Sequence, residues 1–218
     1  ARMSKFSVSA CRELIATCGI RNVFFPPTAL RMLKADGAEI AGLRSVASGG
    51  EPLGAEMLAW GETALGVTIN EFYGQTECNM VASSCGALFP ARPGCIGKPA
   101  PGFHIAVIDE DGNELPYGSY GEAVGRSGSM MPGYHNNHDK TREATWVSPE
   151  GEHFVRTGDM GRFDEDGFLH LLDRKKDMII SGGFNIYAAD LEAVLRKHPD
   201  VADVAVIAIP SRDWGETP

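Results

Sequence analysis

Residues Tyr73 to Glu77 read Tyr-Gly-Gln-Thr-Glu, directly behind the apolar run Val67 to Phe72. A bend needs one glycine. This one also carries an aromatic face, an amide, a hydroxyl and a carboxylate. Tyr73 can offer its ring to a base, and Gly74 lets a ligand approach the backbone. Thr76 can donate a hydrogen bond to a phosphate oxygen, and Glu77 can bind a hard cation such as Mg²⁺. A second polar, glycine-bearing stretch, Ser48-Gly49-Gly50-Glu51-Pro52, ends the preceding apolar run, Leu43 to Ser48. In an open parallel sheet, ligands bind outside the C-terminal ends of the strands. If the two runs are neighbouring strands, both stretches face one crevice, which suits a nucleotide with its metal. Each residue alone has a plainer reading: Tyr73 a rim tyrosine, Glu77 a solvated carboxylate, Thr76 the N-cap of a helix with Met80 following.

The elements that must position these groups alternate between helix and strand. Cys11, Leu14, Ile15 and Cys18 share one helical face, and Gly19 stops that helix. Ile20 to Phe25 reads as a strand, "TALRMLK" as a short helix and Leu43 to Ser48 as the next strand. Pro52 suits a first helical position, with Leu53, Met57, Trp60 and Ala64 at helical spacing behind it. Strands separated by helices predict right-handed crossovers and a parallel sheet over residues 1–95. Beyond that the texture changes. Asp111-Gly112 and Asp166-Gly167 each stand between apolar runs, a tight-hairpin signal. Residues 96–172 therefore read as a small antiparallel sheet or barrel. From 173 to 218 a strand runs into Gly182-Gly183. A helix follows with Leu191, Val194, Leu195 and His198 on one face, Asp190 and Glu192 early and Lys197 late, closed by Pro199. Val201 to Pro210 reads as a further strand. The expected class is α/β plus β, with the start of an α+β C-terminal domain, and the abrupt ends suggest a piece of something longer.

Net charge is −9 and no block of like charge exceeds a few residues, so nucleic acid is not the expected partner. Arg174-Lys175-Lys176 is the one short basic cluster. Five cysteines, an odd number without a CxxC pair, read as reduced thiols in a cytoplasmic protein. No apolar run reaches the length of a membrane span. The sequence leaves a homodimer open. His135 and His138 could share a helix face, but no third metal ligand is evident. Cys78 lacks the companions of a thiol nucleophile, and "GCIGK" lacks the spacing of a phosphate loop.

Five segments, in order, resemble the adenylate-forming superfamily of acyl-CoA synthetases, luciferases and adenylation domains. They are "SGGEPL", "YGQTE", "YGEAVGRSGSMMPGYHNN", "RTGD" and "DRKKDMIISGGFNIYAADLE". The resemblance covers essentially the whole chain. It implies a nucleotide site in which Gly50, Glu51 and Pro52 lie along the adenine, Tyr73 stacks on it, and Gly74 and Gln75 belong to the same motif. Thr76 would contact the α-phosphate and Glu77 would help hold Mg²⁺, making these two the catalytic pair. Asp159 would accept from both ribose hydroxyls and Arg174 would donate to the same sugar. Lys176 would be the hinge of a C-terminal lid. Gly183 would keep the backbone slim for the pantetheine arm of coenzyme A. The implied substrates are ATP, a carboxylic acid and coenzyme A, with a lean toward medium-chain or aryl acids.

The family's Ser/Thr/Gly-rich loop ending in Pro-Lys-Gly does not occur in these 218 residues, and "YAAD" stands where the family has Pro followed by an acid. The 218-residue chain is therefore not expected to catalyse adenylation alone. Two other readings accompany the acyl-CoA ligase: an adenylation domain that loads a carrier protein, and a truncated, non-catalytic adenylate-binding remnant.

Overall fold

The first helix, α1 (Val8–Cys18), begins where the Ser7 hydroxyl accepts the Ala10 amide and ends at Gly19 in the left-handed region. It buries Cys11 and Ile15, while Cys18 on the expected face is exposed. The computed structural model describes residues 6–218 apart from Pro52, Arg196, Lys197, Pro199, Ala202, Asp203 and the side chain of Ala193. The expected roles of Pro52, Lys197 and Pro199 lie outside the described residues. Two compact units form, Ala1–Phe103 and His104–Pro218.

In the first unit, β1 (Asn22–Phe24), β2 (Ser45–Gly49) and β3 (Ile69–Gln75) are parallel neighbours in that order. α2 (Pro27–Ala35) connects the first two, with Pro27 in its first turn, where a missing N–H costs nothing. α3 (Ala55–Trp60) widens into a π-turn over Gly61–Leu65 before β3. Leu53 precedes this helix and is buried without belonging to it. Leu30, Leu33, Val46, Leu65 and Ile69 are almost wholly buried and form the centre of this core. β4 (Asn79–Ser83) and β5 (Lys98–Pro99) extend the sheet with antiparallel pairing, so it is mixed, not purely parallel.

The second unit carries β6 (His104–Ile108), β7 (Gly121–Arg126), β8 (Thr145–Val147), β9 (His153–Phe163) and β10 (Leu169–Arg174) in one antiparallel sheet, ordered β10-β9-β7-β6 with β8 also on β9. Both Asp-Gly turns form: the Gly112 amide reaches the Asp109 carbonyl and the Gly167 amide the Asp164 carbonyl. After the first, only an Ile108–Glu114 bridge follows, and β7 supplies the real partner of β6. The second links β9 to β10. Burial alone would push the Asp164 carboxyl up. Bonds from the Phe168 amide, His170 and the Asp166 amide outweigh it and bring it down to about 2. α4 (His138–Glu143) is capped by Asn137. His135 lies in the turn before it and bonds Asn136, so the two histidines do not share a helix face.

A smaller antiparallel sheet follows, ordered β12-β11-β14-β13: β11 (Ile179–Ser181), β12 (Phe184–Ile186), β13 (Ile209–Ser211) and β14 (Gly215–Thr217). Gly182 and Gly183, both at positive φ, make the bend between β11 and β12. α5 (Ala188–Leu195) ends before His198, and its Val194 and Leu195 are exposed. Of the strand expected over Val201 to Pro210, only the end forms, where Ile209 and Pro210 enter β13. The described residues Val204 to Ala208 join no ladder, and the Val206 amide bonds the Glu192 carboxylate instead. An apolar run becomes a strand only where a neighbour takes its N–H and C=O groups. No helix among the described residues is long and apolar enough to cross a membrane.

Candidate functional site

The two polar, glycine-bearing stretches lie at the C-terminal ends of adjacent parallel strands. Gly49 pairs with Phe72 at the end of the β2–β3 ladder. A Cβ on Gly49 would stand 2.7 Å from the Phe72 carbonyl oxygen and 2.8 Å from its ring, so the strands approach more closely than a side chain allows. Gly50 then turns at φ 104°. Glu51, expected along a purine, is half-exposed and ion-paired to Arg31 of α2 at 3.1 Å.

Tyr73, Gly74 and Gln75 are not a loop. They continue β3 and pair with β4. The turn is Thr76-Glu77-Cys78, closed by the Cys78 amide on the Gln75 carbonyl at 3.2 Å, with Asn79 left-handed at φ 61°. This corrects the alternative in which Thr76 caps a helix. Asparagine tolerates that conformation better than most side chains. The register slips one residue between Tyr73 and Gly74, leaving Val81 as the extra, buried residue of a bulge. A Cβ on Gly74 would lie 2.0 Å from the Asn79 carbonyl oxygen. This glycine is therefore required by the hairpin itself, before any ligand is considered. Thr76 is exposed at the tip, and Glu77 and Tyr73 are half-buried.

Behind this tip lies a polar row that the sequence did not reveal. Ser48 and Glu71 are register partners on β2 and β3, and both are buried. Glu71 accepts the Leu53 amide at 3.0 Å, which ties the segment after Glu51 to β3. The buried Ser84 hydroxyl accepts the Glu71 amide at 2.7 Å. Burial pushes the Glu71 carboxyl above the ordinary range, and the Leu53 amide draws it part of the way back. The buried Ser48 hydroxyl finds no hydrogen-bond partner among the described residues.

In the second unit, Asp159 sits inside a strand rather than in a loop. Between Glu122↔Met160 and Val124↔Arg156, three residues of β9, Thr157 to Asp159, oppose the single Ala123 of β7. Gly158 takes φ 70° in this bulge. The Thr157 hydroxyl donates to the Ala123 carbonyl at 2.7 Å and accepts the Asp159 amide at 3.1 Å. Asp159 is thereby turned toward β10, where the Arg174 guanidinium stands 3.5 Å from its carboxylate. The aspartate is buried and the arginine is mostly exposed. Lys176 is exposed in the 3-10 turn Lys175–Asp177. Asp173, just before it, accepts the Ala189 amide in the first turn of α5. Open space surrounds the Cβ direction of Gly183.

Among the described residues, no group of three or more His, Cys, Asp or Glu could hold a metal. The donor set at the hairpin tip is one carboxylate and one hydroxyl. That fits Mg²⁺, which usually takes one or two protein carboxylates and leaves its other positions to phosphates and water.

A family model described as AMP-binding enzyme matches residues 2–135. The chain is 36% identical over 225 residues to the fatty acid–[acyl-carrier-protein] ligase ScoC of Streptomyces coeruleorubidus, covering 98% of this chain and 42% of that protein. It is 35% identical over 178 residues to a long-chain-fatty-acid–CoA ligase of Escherichia coli O6:H1, covering 82% and 31% respectively. ATP-bound MatB from Rhodopseudomonas palustris superposes with a TM-score of 0.85 at 32% identity, covering 99% of this chain and 42% of that one. The chain thus spans less than half the length of these relatives.

Proposed function

Because the chain belongs to the AMP-binding enzyme family, we propose that the whole protein joins a carboxylic acid to coenzyme A through an acyl-adenylate. The carboxylate oxygen attacks the α-phosphorus of ATP, the bond to the bridging oxygen breaks, and pyrophosphate leaves. The coenzyme A thiol, losing its proton, then attacks the acyl carbon and releases AMP. The observation that carries this reading is the juxtaposition at the ends of β2 and β3. A glycine turn there adjoins a strand that carries an aromatic ring near its end and runs into a hairpin turn bearing a hydroxyl and a carboxylate, where open α/β sheets bind ligands.

In this reading Gly50, Glu51, Pro52 and Tyr73 take the adenine, and Gly74 and Gln75 shape the hairpin that presents Thr76. The Thr76 hydroxyl donates to the α-phosphate. Glu77 holds Mg²⁺, which supplies neutralising charge to the phosphates when bound. Asp159 accepts from the ribose diol and Arg174 donates to the same sugar. The chain's own work is positioning and charge compensation. The segment from 173 begins a lid that turns about Lys176 between the half-reactions, with Gly183 beside the pantetheine arm. The second reading puts a carrier-protein thiol in place of coenzyme A, favoured by the similarity to a fatty acid–[acyl-carrier-protein] ligase.

The test is ATP–pyrophosphate exchange by the full-length protein over a panel of carboxylic acids, followed by thioester assays with coenzyme A and with a pantetheinylated carrier protein. Acid-dependent exchange and a thioester on coenzyme A are expected. A thioester on the carrier protein alone would move the conclusion to the second reading. No exchange with any acid would leave the non-catalytic remnant.

A further inference from the structure

Glu122 is a buried acid in the small-residue strand Gly121–Arg126, and the reaction proposed for the whole protein gives it no task. Arg156 donates to both of its oxygens, at 2.6 Å and 3.3 Å. The Gly158 amide donates to Oε1 at 3.3 Å, and the Lys175 ammonium stands 3.7 Å from Oε2. We propose that Glu122 is a positioning residue. It fixes the bulge that aims Asp159, and through Lys175 it tethers the basic turn that carries Arg174 and Lys176.

A bulge is a register slip, and it stays where it is only if something pins it. Here the pins are adjacent on β7: the Ala123 carbonyl takes the Thr157 hydroxyl, and the Glu122 carboxylate takes the Gly158 amide. Arg156, at the near edge of the bulge, neutralises that carboxylate, so the buried charge is paired as its location demands. Lys175 is a second cation on an acid already satisfied, at a longer distance and with a side chain 38% exposed. An ammonium this far from the carboxylate and partly in solvent holds more weakly than the bidentate guanidinium. The two ties are therefore unequal. The bulge tie is fixed, and the turn tie can be released while the bulge stays in place. That is the behaviour needed where a ribose ligand must hold still beside a segment that moves.

The geometric part of the proposal stands by itself, and its kinetic part rests on the assignment of Asp159 to the ribose and Lys176 to the hinge. Hydrogen exchange of the full chain, read by mass spectrometry, tests the first. Glu122→Gln keeps the size and one acceptor but removes the charge. Amides 156–159 should then exchange about tenfold faster or more, as expected for loss of a charged hydrogen bond, and amides 174–177 by a smaller factor, about fivefold at most. Lys175→Met, which alters a half-exposed side chain and is not expected to impair folding, should accelerate 174–177 and leave 156–159 unchanged. Unchanged exchange at 174–177 in Lys175→Met, or in both segments of a folded Glu122→Gln, overturns the proposal. In the full-length enzyme, Glu122→Gln should raise KM for ATP while leaving KM for the carboxylic acid in place; a uniform loss of both would mark a merely structural residue. If the exchange results hold but Asp159→Ala does not change KM for ATP, the positioning stands and the ribose assignment falls.

Discussion

Replacing Gly74 with alanine separates two explanations of one glycine. If Gly74 serves only to admit a ligand, the ligand-free chain should tolerate Gly74→Ala. It should even gain about 0.4–1 kcal/mol from reduced freedom of the unfolded chain. The hairpin says otherwise. The new Cβ would stand 2.0 Å from the Asn79 carbonyl oxygen, 2.7 Å from the Met80 Cα and 2.8 Å from the Asn79 carbonyl carbon. All three are backbone atoms of the facing strand, so no side chain can swing aside. Relief requires the strands to separate by about 1 Å, enough to lose the neighbouring ladder bonds. The two pairs at risk are Gly74↔Met80 and Gln75↔Asn79. Two bonds at about 0.5–1.5 kcal/mol each, with overpacking of about 1–3 kcal/mol and less the entropic gain of about 0.4–1 kcal/mol, give a loss of about 1–6 kcal/mol. Urea unfolding followed by circular dichroism, with hydrogen exchange over residues 69–83, measures it. Gly128→Ala is the control, because nothing lies within 4 Å of its Cβ position and its φ is not positive. Equal stability of the two variants, with normal protection of β3 and β4, would refute the close-packing argument.

Glu71→Gln keeps an acceptor for the Leu53 amide but cannot ionise. The wild-type carboxyl is raised in the fold, so its contribution to stability is full below its unfolded value of 4.5 and is lost as pH rises through the folded value. The variant should gain on the wild type across that window, by about 1.4 kcal/mol for each pH unit of displacement; parallel stability curves would show that Glu71 is not strained by burial. In the full-length protein, Asp159→Ala should weaken ATP binding by roughly 1.5–3 kcal/mol through loss of charge-assisted bonds, and unchanged affinity in calorimetry would remove Asp159 from the ribose. Lys176→Pro fixes φ within the 3-10 turn and should slow thioester formation from supplied acyl-adenylate far more than pyrophosphate exchange. Equal losses would argue against a hinge.

The parallel core was legible because its signals are local. Gly19 stops α1, and apolar runs alternate with helical spacing; the Ser7 cap and the Pro27 start of α2 are equally local but were seen only in the fold. The two Asp-Gly turns and the paired glycines at 182 and 183 announce their bends in the same way. The β3–β4 hairpin was hidden. Its left-handed position is filled by Asn79, not glycine, and the polar Tyr73-Gly74-Gln75 looked like a loop although it continues the ladder. The buried acids were hidden for a different reason. Glu71 is satisfied by Leu53, 18 residues away, and Glu122 by Arg156, 34 residues away. Whether a carboxylate can be buried depends on partners that only the fold brings together. The one local hint was an acid set within the small-residue run Gly121–Arg126. Val204 to Ala208 erred in the opposite direction, since apolar character alone does not supply a strand with a neighbour.

The most direct test of the acyl-adenylate route follows the oxygen that the carboxylate gives to phosphorus. The full-length protein is supplied with ATP, coenzyme A and a carboxylic acid labelled with ¹⁸O in its carboxyl group, and the products are weighed by mass spectrometry. Attack by the carboxylate on the α-phosphorus, followed by thiol displacement, leaves one labelled oxygen in AMP and none in pyrophosphate. Label in inorganic phosphate, with ADP as the nucleotide product, would mean an acyl-phosphate route and would contradict the account.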